Sequence, residues 1–557
     1  MQFSNNHHPH ANGRVMIIGL DGATFDLIEP WAAAGHLPNM ARLLQEGASA
    51  RLLSTIPAHS GPGWATFATG LLPGKHGVYH FAGPTRDAEY FRPLSGDSIR
   101  GRRFWDLAGD HNRTVGIINV PLTFPPRKVN GYMIAGLFAP NGAGAFESRE
   151  LYEEVYAHCG EYIVNAPVLQ NRQAFLDGLL NGMAGGLKVG EYLLDKHPTD
   201  LFVIVFRMID SVMHRYWADM DPDHPLYAEL GSSAIPNGVL DGYKLLDEAI
   251  GRLLEKSGPD TTLYIMSDHG FRAEYRRFSG NKWLRDNGLL ALKGSRASMI
   301  GFAEKWAERL RIEMMLKKVG MQVLKLMGGK SRPEGVLFQA VDWTRTKAVF
   351  GPTIGLNLNV KGRDAQGIVE PEEYEPLRDR LIKELKAIRD PETGHPVFQE
   401  VWRREEVYFG EAVDLAPDLV FEMGEYHTNG KRWSYGMSAG FTEWRDYTTP
   451  SRRLAGEHAP DGIFMAYGPH ISRGQQFPDF SIADIAPTIL YTMGVPVPQE
   501  MDGVVRLEVF DPAYVAANPV AYTHVDLLGT AGSSGQALAE GYNSAVAERL
   551  RDLGYLE

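Results

Sequence analysis

Several short stretches of the sequence set residues capable of catalysis or cation binding beside glycines or at the ends of apolar runs. They are Asp21 in IGLDG, Ser60 in AHSGPGW, Asp210 and His214 in FRMIDSVMHRYW, Asp268 and His269 in YIMSDHGF, and His458 in GEHAPDG. Three carboxylates, three imidazoles and one hydroxyl suffice to hold two divalent cations through oxygen and nitrogen. Two such cations about 3.5–4 Å apart stabilise both the attacking and the leaving oxygen of a phosphoryl displacement. The lone cysteine, Cys159, excludes an intrachain disulfide and a thiolate cluster.

Each stretch alone also fits a plainer role. Alone, Asp21-Gly22 reads first as turn chemistry, and Ser60 first as the N-cap of a helix. Asp210 and His214, four residues apart, share one helix face, which suits two ligands of one cation or an ordinary ion pair. Asp268 and His269 are neighbours, so both reach one site only if a strand breaks there, and Gly270 supplies the break. What raises the weight of the set is its recurrence at predicted strand ends.

The elements that must position these groups are buried strands at Val15 to Leu20, Leu201 to Ile209, Thr262 to Met266 and Gly462 to Tyr467. Helical periodicity between them, as in Leu27 to Gln45 and Gly238 to Lys256, gives the alternation of a layered α/β fold with a mainly parallel sheet. Ligands of such sheets lie beyond the carboxyl ends of the strands, where the acidic residues fall. The expected organisation is a first part of the α/β core at 13–271, an inserted cap at 272–414 with a surface helix from Pro376 to Arg389, and a second part of the core with a C-terminal tail at 415–557. Ser60-Gly61-Pro62 should open a helix whose free N–H groups face a phosphate.

Taken in order, LDG, a Ser ahead of TGLLPGKHG, DxxxH, SDHG and a GxH loop resemble the type I phosphodiesterase and nucleotide pyrophosphatase branch of the alkaline phosphatase superfamily. DIAPTIL from Asp484 and MDG from Met501 resemble that superfamily's C-terminal end. The resemblance implies an alkaline phosphatase-like fold and a metal-dependent phosphoester hydrolase, first of all a phosphodiesterase. It implies one metal on Asp21, Asp268, His269 and the Ser60 oxygen, and a second on Asp210, His214 and His458. The implied cofactors are two divalent ions, zinc first and manganese second. Ser60, nine residues before Thr69, takes the nucleophile's place and would form a covalent phosphoryl-serine. The branch's Asn three positions beyond the nucleophile is Gly63 here, so nucleotide preference does not carry over.

The alternatives are a phosphomutase or phosphotransferase of the same superfamily, then a sulfatase, whose Arg four residues beyond the nucleophile is Trp64 here, and last a non-catalytic binding protein. A formal charge of -12 spread along the chain argues for a small phosphoester substrate over a nucleic-acid polymer. No signal-like or membrane-spanning apolar run is visible, so the expected location is the cytoplasm. The basic amphipathic stretch Trp306 to Met327 reads first as an ordinary cap helix, and second as a contact for an anionic membrane surface or an anionic substrate.

Overall fold

The computed structural model describes residues 13–84, 91–167, 169, 171–293, 340–351, 355–438, 448–450 and 455–528. The stretch Trp306 to Met327 lies outside the described residues.

The main sheet has nine strands. Its order runs Gln475–Gln476, Ala48–Leu53, Asp461–Tyr467, Thr261–Met266, Arg14–Leu20, Leu201–Phe206, Val115–Ile118 and Gly131–Ile134, with Phe480–Ser481 paired to Ala48–Leu53. All pairings are parallel except those of Asp461–Tyr467, which runs against both neighbours. Successive residues of the central strands feed two cores, as a period of two requires. Met16, Ile18, Phe202, Ile204 and Phe206 enter one layer; Val15, Ile17, Leu201, Val203 and Val205 enter the other, with Trp64 and Phe67. Strands buried on both faces explain the continuous apolar runs.

Three local expectations shift. Leu27 to Gln45 is two helices, Phe25–Ala33 and Pro38–Glu46, because Gly35 takes a left-handed turn between them and Pro38 opens the second. The run expected as strand through Ile209 leaves the sheet after Phe206, and Met208–Met220 is a helix. The helix expected from Pro376 starts earlier, at Pro371, and ends at Ala387.

A second, four-stranded antiparallel sheet is built from Ala348–Phe350, Leu356–Leu358, Leu419–Met423 and Phe398–Arg403. Its Phe350, Leu356 and Phe421 belong to the same apolar cluster as Met16 and Ile204 of the main sheet. The described strands of this sheet are therefore packed onto the core. A third sheet centres on the long strand Gly270–Ser279, which starts directly after His269 and pairs antiparallel with Gly456–Ala459.

Candidate metal centre

The parallel register aligns the chemistry. Arg14–Leu20 and Thr261–Met266 pair so that their carboxyl ends lie together; Asp21 follows the first directly and Asp268 follows the second after Ser267. Gly22 takes φ 71° after Asp21, a conformation that favours glycine, and its N–H donates to Asp268 Oδ1 at 3.2 Å. The strand Gly456–Ala459 pairs His458 with Phe271. His458 was expected in a loop; instead the sheet carries it beside His269, and the two rings stack at 3.7 Å. Asp210 occupies the first turn of Met208–Met220 and His214 follows four residues on, on the same face.

All seven predicted site residues converge and are buried. Asp210, His214 and His458 form one trio and Asp21, Asp268 and His269 another, the candidate ligand atoms of each lying within 4.8 Å of one another. In the first trio His214 Nε2 stands 3.0 Å from His458 Nε2, and both stand 3.3 Å from Asp210 Oδ1. Ligands held tetrahedrally about 2.0–2.1 Å from one cation lie about 3.3–3.4 Å apart, so this triangle has the dimensions of a cation seat. In the second trio His269 Nε2 is 3.3 Å from Asp268 Oδ2 and 3.7 Å from Asp21 Oδ1. Ser60 Oγ lies 3.0 Å from His269 Nε2 and 3.3 Å from Asp21 Oδ1, as a further ligand of that seat would.

The imidazoles are oriented from behind. Nδ1 of His214, His269 and His458 faces the backbone oxygens of Gly456 at 2.8 Å, Gly270 at 2.9 Å and Ala58 at 3.2 Å. Donation of Nδ1–H to a carbonyl leaves the Nε2 lone pair for the centre, the usual outer support of a metal-bound histidine. Electrostatics agree. Burial and then the charge of Asp210 push Asp268 up to about 7, and burial with the charges of Asp268 and Asp210 raises Asp21. Burial also pushes Asp210 up, but His214 and His458 overcome it and hold that carboxyl well below the usual range. His214, against its own burial, is raised to about 9 by Asp210. Three carboxylates this close in a dry site need compensating positive charge.

Ser60 is the first residue of the helix Ser60–Thr69, and His59 is its N-cap. His59 Nδ1 accepts from Gly61 N at 3.1 Å, and the His59 carbonyl accepts from Gly63 N at 3.0 Å. The expectation of free helix N–H groups facing a phosphate is thus corrected for Gly61 and Gly63, whose donors are already used. Sequence reasoning also missed His80, whose ring lies 4.1 Å from that of His59, and Trp64, whose Nε1 donates to Asp21 Oδ2 at 3.2 Å. Burial holds His80 down to about 3 and His59 well below its ordinary value. The available signal was position: His59 precedes the hydroxyl, and Trp64 lies one helical turn beyond it.

Residues 15–435, more than half of the chain, match the family described as type I phosphodiesterase / nucleotide pyrophosphatase. The chain belongs to this family. It is a phosphoric ester hydrolase of the alkaline phosphatase superfamily, and its kind of hydrolase uses divalent metals and acts on small phosphoester or nucleotide substrates. No curated protein matches. Among solved structures, human ectonucleotide pyrophosphatase / phosphodiesterase 5 is 13% identical, with a TM-score of 0.46, covering 89% of this chain and 98% of that one. The murine protein of the same name, an inactive form in complex with AMP, is 12% identical, with a TM-score of 0.48, covering 90% of this chain and 100% of that one.

Proposed function

We propose that the protein hydrolyses a phosphodiester or a related small phosphoester at a centre of two divalent cations, with Ser60 as nucleophile. The observation that carries this reading is the place of Ser60 Oγ, within 3.3 Å of both Asp21 Oδ1 and His269 Nε2. Asp21, Asp268, His269 and Ser60 would hold one ion and Asp210, His214 and His458 the other; zinc suits this mixed carboxylate and imidazole set, with manganese second. When bound, the ions supply positive charge for the phosphoryl oxygens and lower the pKa of the hydroxyl.

The chain's own residues do the rest. The helix start fixes Ser60, Asp21 and His269 bracket its oxygen, and the buried walls limit water at the reacting centre. Attack by Ser60 Oγ on phosphorus forms an O–P bond as the ester O–P bond breaks and the alcohol leaves. Water then cleaves the phosphoryl-serine, and the two displacements give retention at phosphorus.

The test is Ser60→Ala measured on a panel of aryl phosphate monoesters, diesters, phosphonates and sulfates. Turnover of the best substrate should fall by roughly several orders of magnitude while most of the bound metal stays, and Ser60→Thr should keep part of the activity. Near wild-type turnover in Ser60→Ala would exclude the covalent route.

A further inference from the structure

Arg207 is a buried charge that the cation seats do not use. Leu20 pairs with Phe206 in parallel register, so Asp21 and Arg207 are the next residues past the same end of two adjacent strands. Neighbouring strands run about 4.8 Å apart, which sets Arg207 at the rim of the centre. Its guanidinium is close enough to Asp21 to oppose the upward push on that carboxyl. Only 1% of Arg207 is exposed. Nη1 donates to Ser211 Oγ at 3.3 Å, whereas Nε and Nη2 have no acceptor among the described residues.

The chain treats its other buried arginines differently. Arg276 pairs with Asp390, Arg277 with Glu274, Arg378 with Glu405, Arg404 with Asp418 and Arg272 with Glu425. Arg103 is spent on the carbonyls of Gly96, Ile99 and Gly101. Taking a guanidinium out of water with two donor positions unsatisfied is costly, so a purely structural arginine is normally paired. The Nε and Nη2 positions form one edge of the guanidinium, the edge that matches two oxygens of a phosphate. Three donors near Ser60 are already used, since Gly61 N and Gly63 N bond to His59 and Trp64 Nε1 to Asp21. Gly63 offers no side chain, and a Cβ there would stand 3.0 Å from Asp268 Cβ and 3.1 Å from its carbonyl oxygen.

We propose that Arg207 is a substrate-binding residue whose Nε and Nη2 edge takes the non-bridging oxygens of the bound phosphoester. This rests on the phosphoester-hydrolase reading and adds the group that grips the anion. Among the described residues that edge has no partner, and the incoming phosphoryl group supplies the missing acceptors.

The experiment titrates inorganic phosphate into zinc-loaded wild type, Arg207→Gln and Arg207→Lys by calorimetry, with metal content measured on each and steady-state kinetics on an aryl phosphodiester alongside. Arg207→Gln should keep its metal and bind phosphate about 10- to 100-fold more weakly, the loss expected for a charge-assisted contact. Arg207→Lys should recover only part, because it restores a point charge without the bidentate edge. Phosphate affinity within about twofold of wild type in metal-replete Arg207→Gln overturns the proposal, since even one lost charged hydrogen bond exceeds that. If Arg207→Gln does not fold, Arg207→Lys decides by the same criterion; loss of metal or fold in both makes the residue structural and also overturns it. Arg207-dependent phosphate binding in a wild type that turns over no phosphoester would sink the hydrolase reading and leave the anion contact standing.

Discussion

Replacing Asp268 by Asn in the metal-free protein should stabilise the fold, and by an amount that grows with pH. In the folded chain burial, aided by Asp210, raises the Asp268 carboxyl from 3.8 to about 7. The unfolded chain releases that proton near 3.8, so between these values the folded state binds more protons and its stability falls as pH rises. A shift of about three units at about 1.36 kcal/mol each amounts to about 4 kcal/mol, absent below about pH 4 and complete above about pH 7. Asn stays neutral at every pH and escapes this loss. Removing the Asp268 charge also eases Asp21, whose carboxyl it pushes up, which adds with the same sign.

The measurement has to be a difference. Burial lowers His80 and His458 to about 3, so the folded state leaves them neutral where the unfolded chain would protonate them. Their contribution makes stability rise with pH up to about 6.5, opposite to that of Asp268, but it is common to both proteins. Urea unfolding of chelated wild type and Asp268→Asn at about pH 4.5 and about pH 7.5 isolates the carboxyl. The gap should widen in favour of Asn by several kcal/mol, and added zinc should reverse the order at the higher pH, because only wild type keeps the full ligand set. A gap that does not change with pH would refute the claim that like charge and burial crowd this centre.

Asp210→Asn and His458→Ala should each lower bound metal from two ions per chain toward one by elemental analysis, because both residues belong to the same trio; retention of two ions would disprove the division into seats. Gly63→Asn should destabilise the protein by about 1–3 kcal/mol in thermal unfolding and reduce turnover, since a Cβ there would crowd Asp268, at 3.0 Å from its Cβ and 3.1 Å from its carbonyl oxygen. A gain in nucleotide hydrolysis with an unchanged Tm would show that the position has room.

The convergence of the candidate ligands was legible in the sequence because parallel strands end at one edge of the sheet, and Asp21 and Asp268 follow such strands. Asp210 and His214 were legible from their spacing once a helix was assumed. The exact turn from strand to helix was not, because Phe206, Met208 and Ile209 are all apolar and periodicity over so few residues does not separate the two states. His458 on a strand was hidden for a different reason: Gly456–Ala459 is short, and its partner Gly270–Ser279 lies far away in sequence. The plainer reading of Ser60 as N-cap follows its capping propensity, whereas the local backbone gives that place to His59 and makes Ser60 the first helical residue. Arg207 carried no motif at all; what distinguishes it is burial with no acceptor for Nε and Nη2 among the described residues.

That a protein of formal charge -12 should take an anionic substrate turns on where positive charge is placed, since net charge governs long-range approach and local charge governs the site. The helix start beside Ser60 contributes less than its sequence suggests, because His59 has already taken the Gly61 and Gly63 donors. The three carboxylates by themselves would repel a phosphoryl group. The two divalent cations proposed for these ligands would reverse the local sign, and Arg207 at the end of the neighbouring strand adds a charge that no carboxylate among the described residues neutralises through a hydrogen bond. On the proposed reading an anion would gain most where the cations, the Ser60 oxygen and the guanidinium edge converge, which is where displacement at phosphorus needs it.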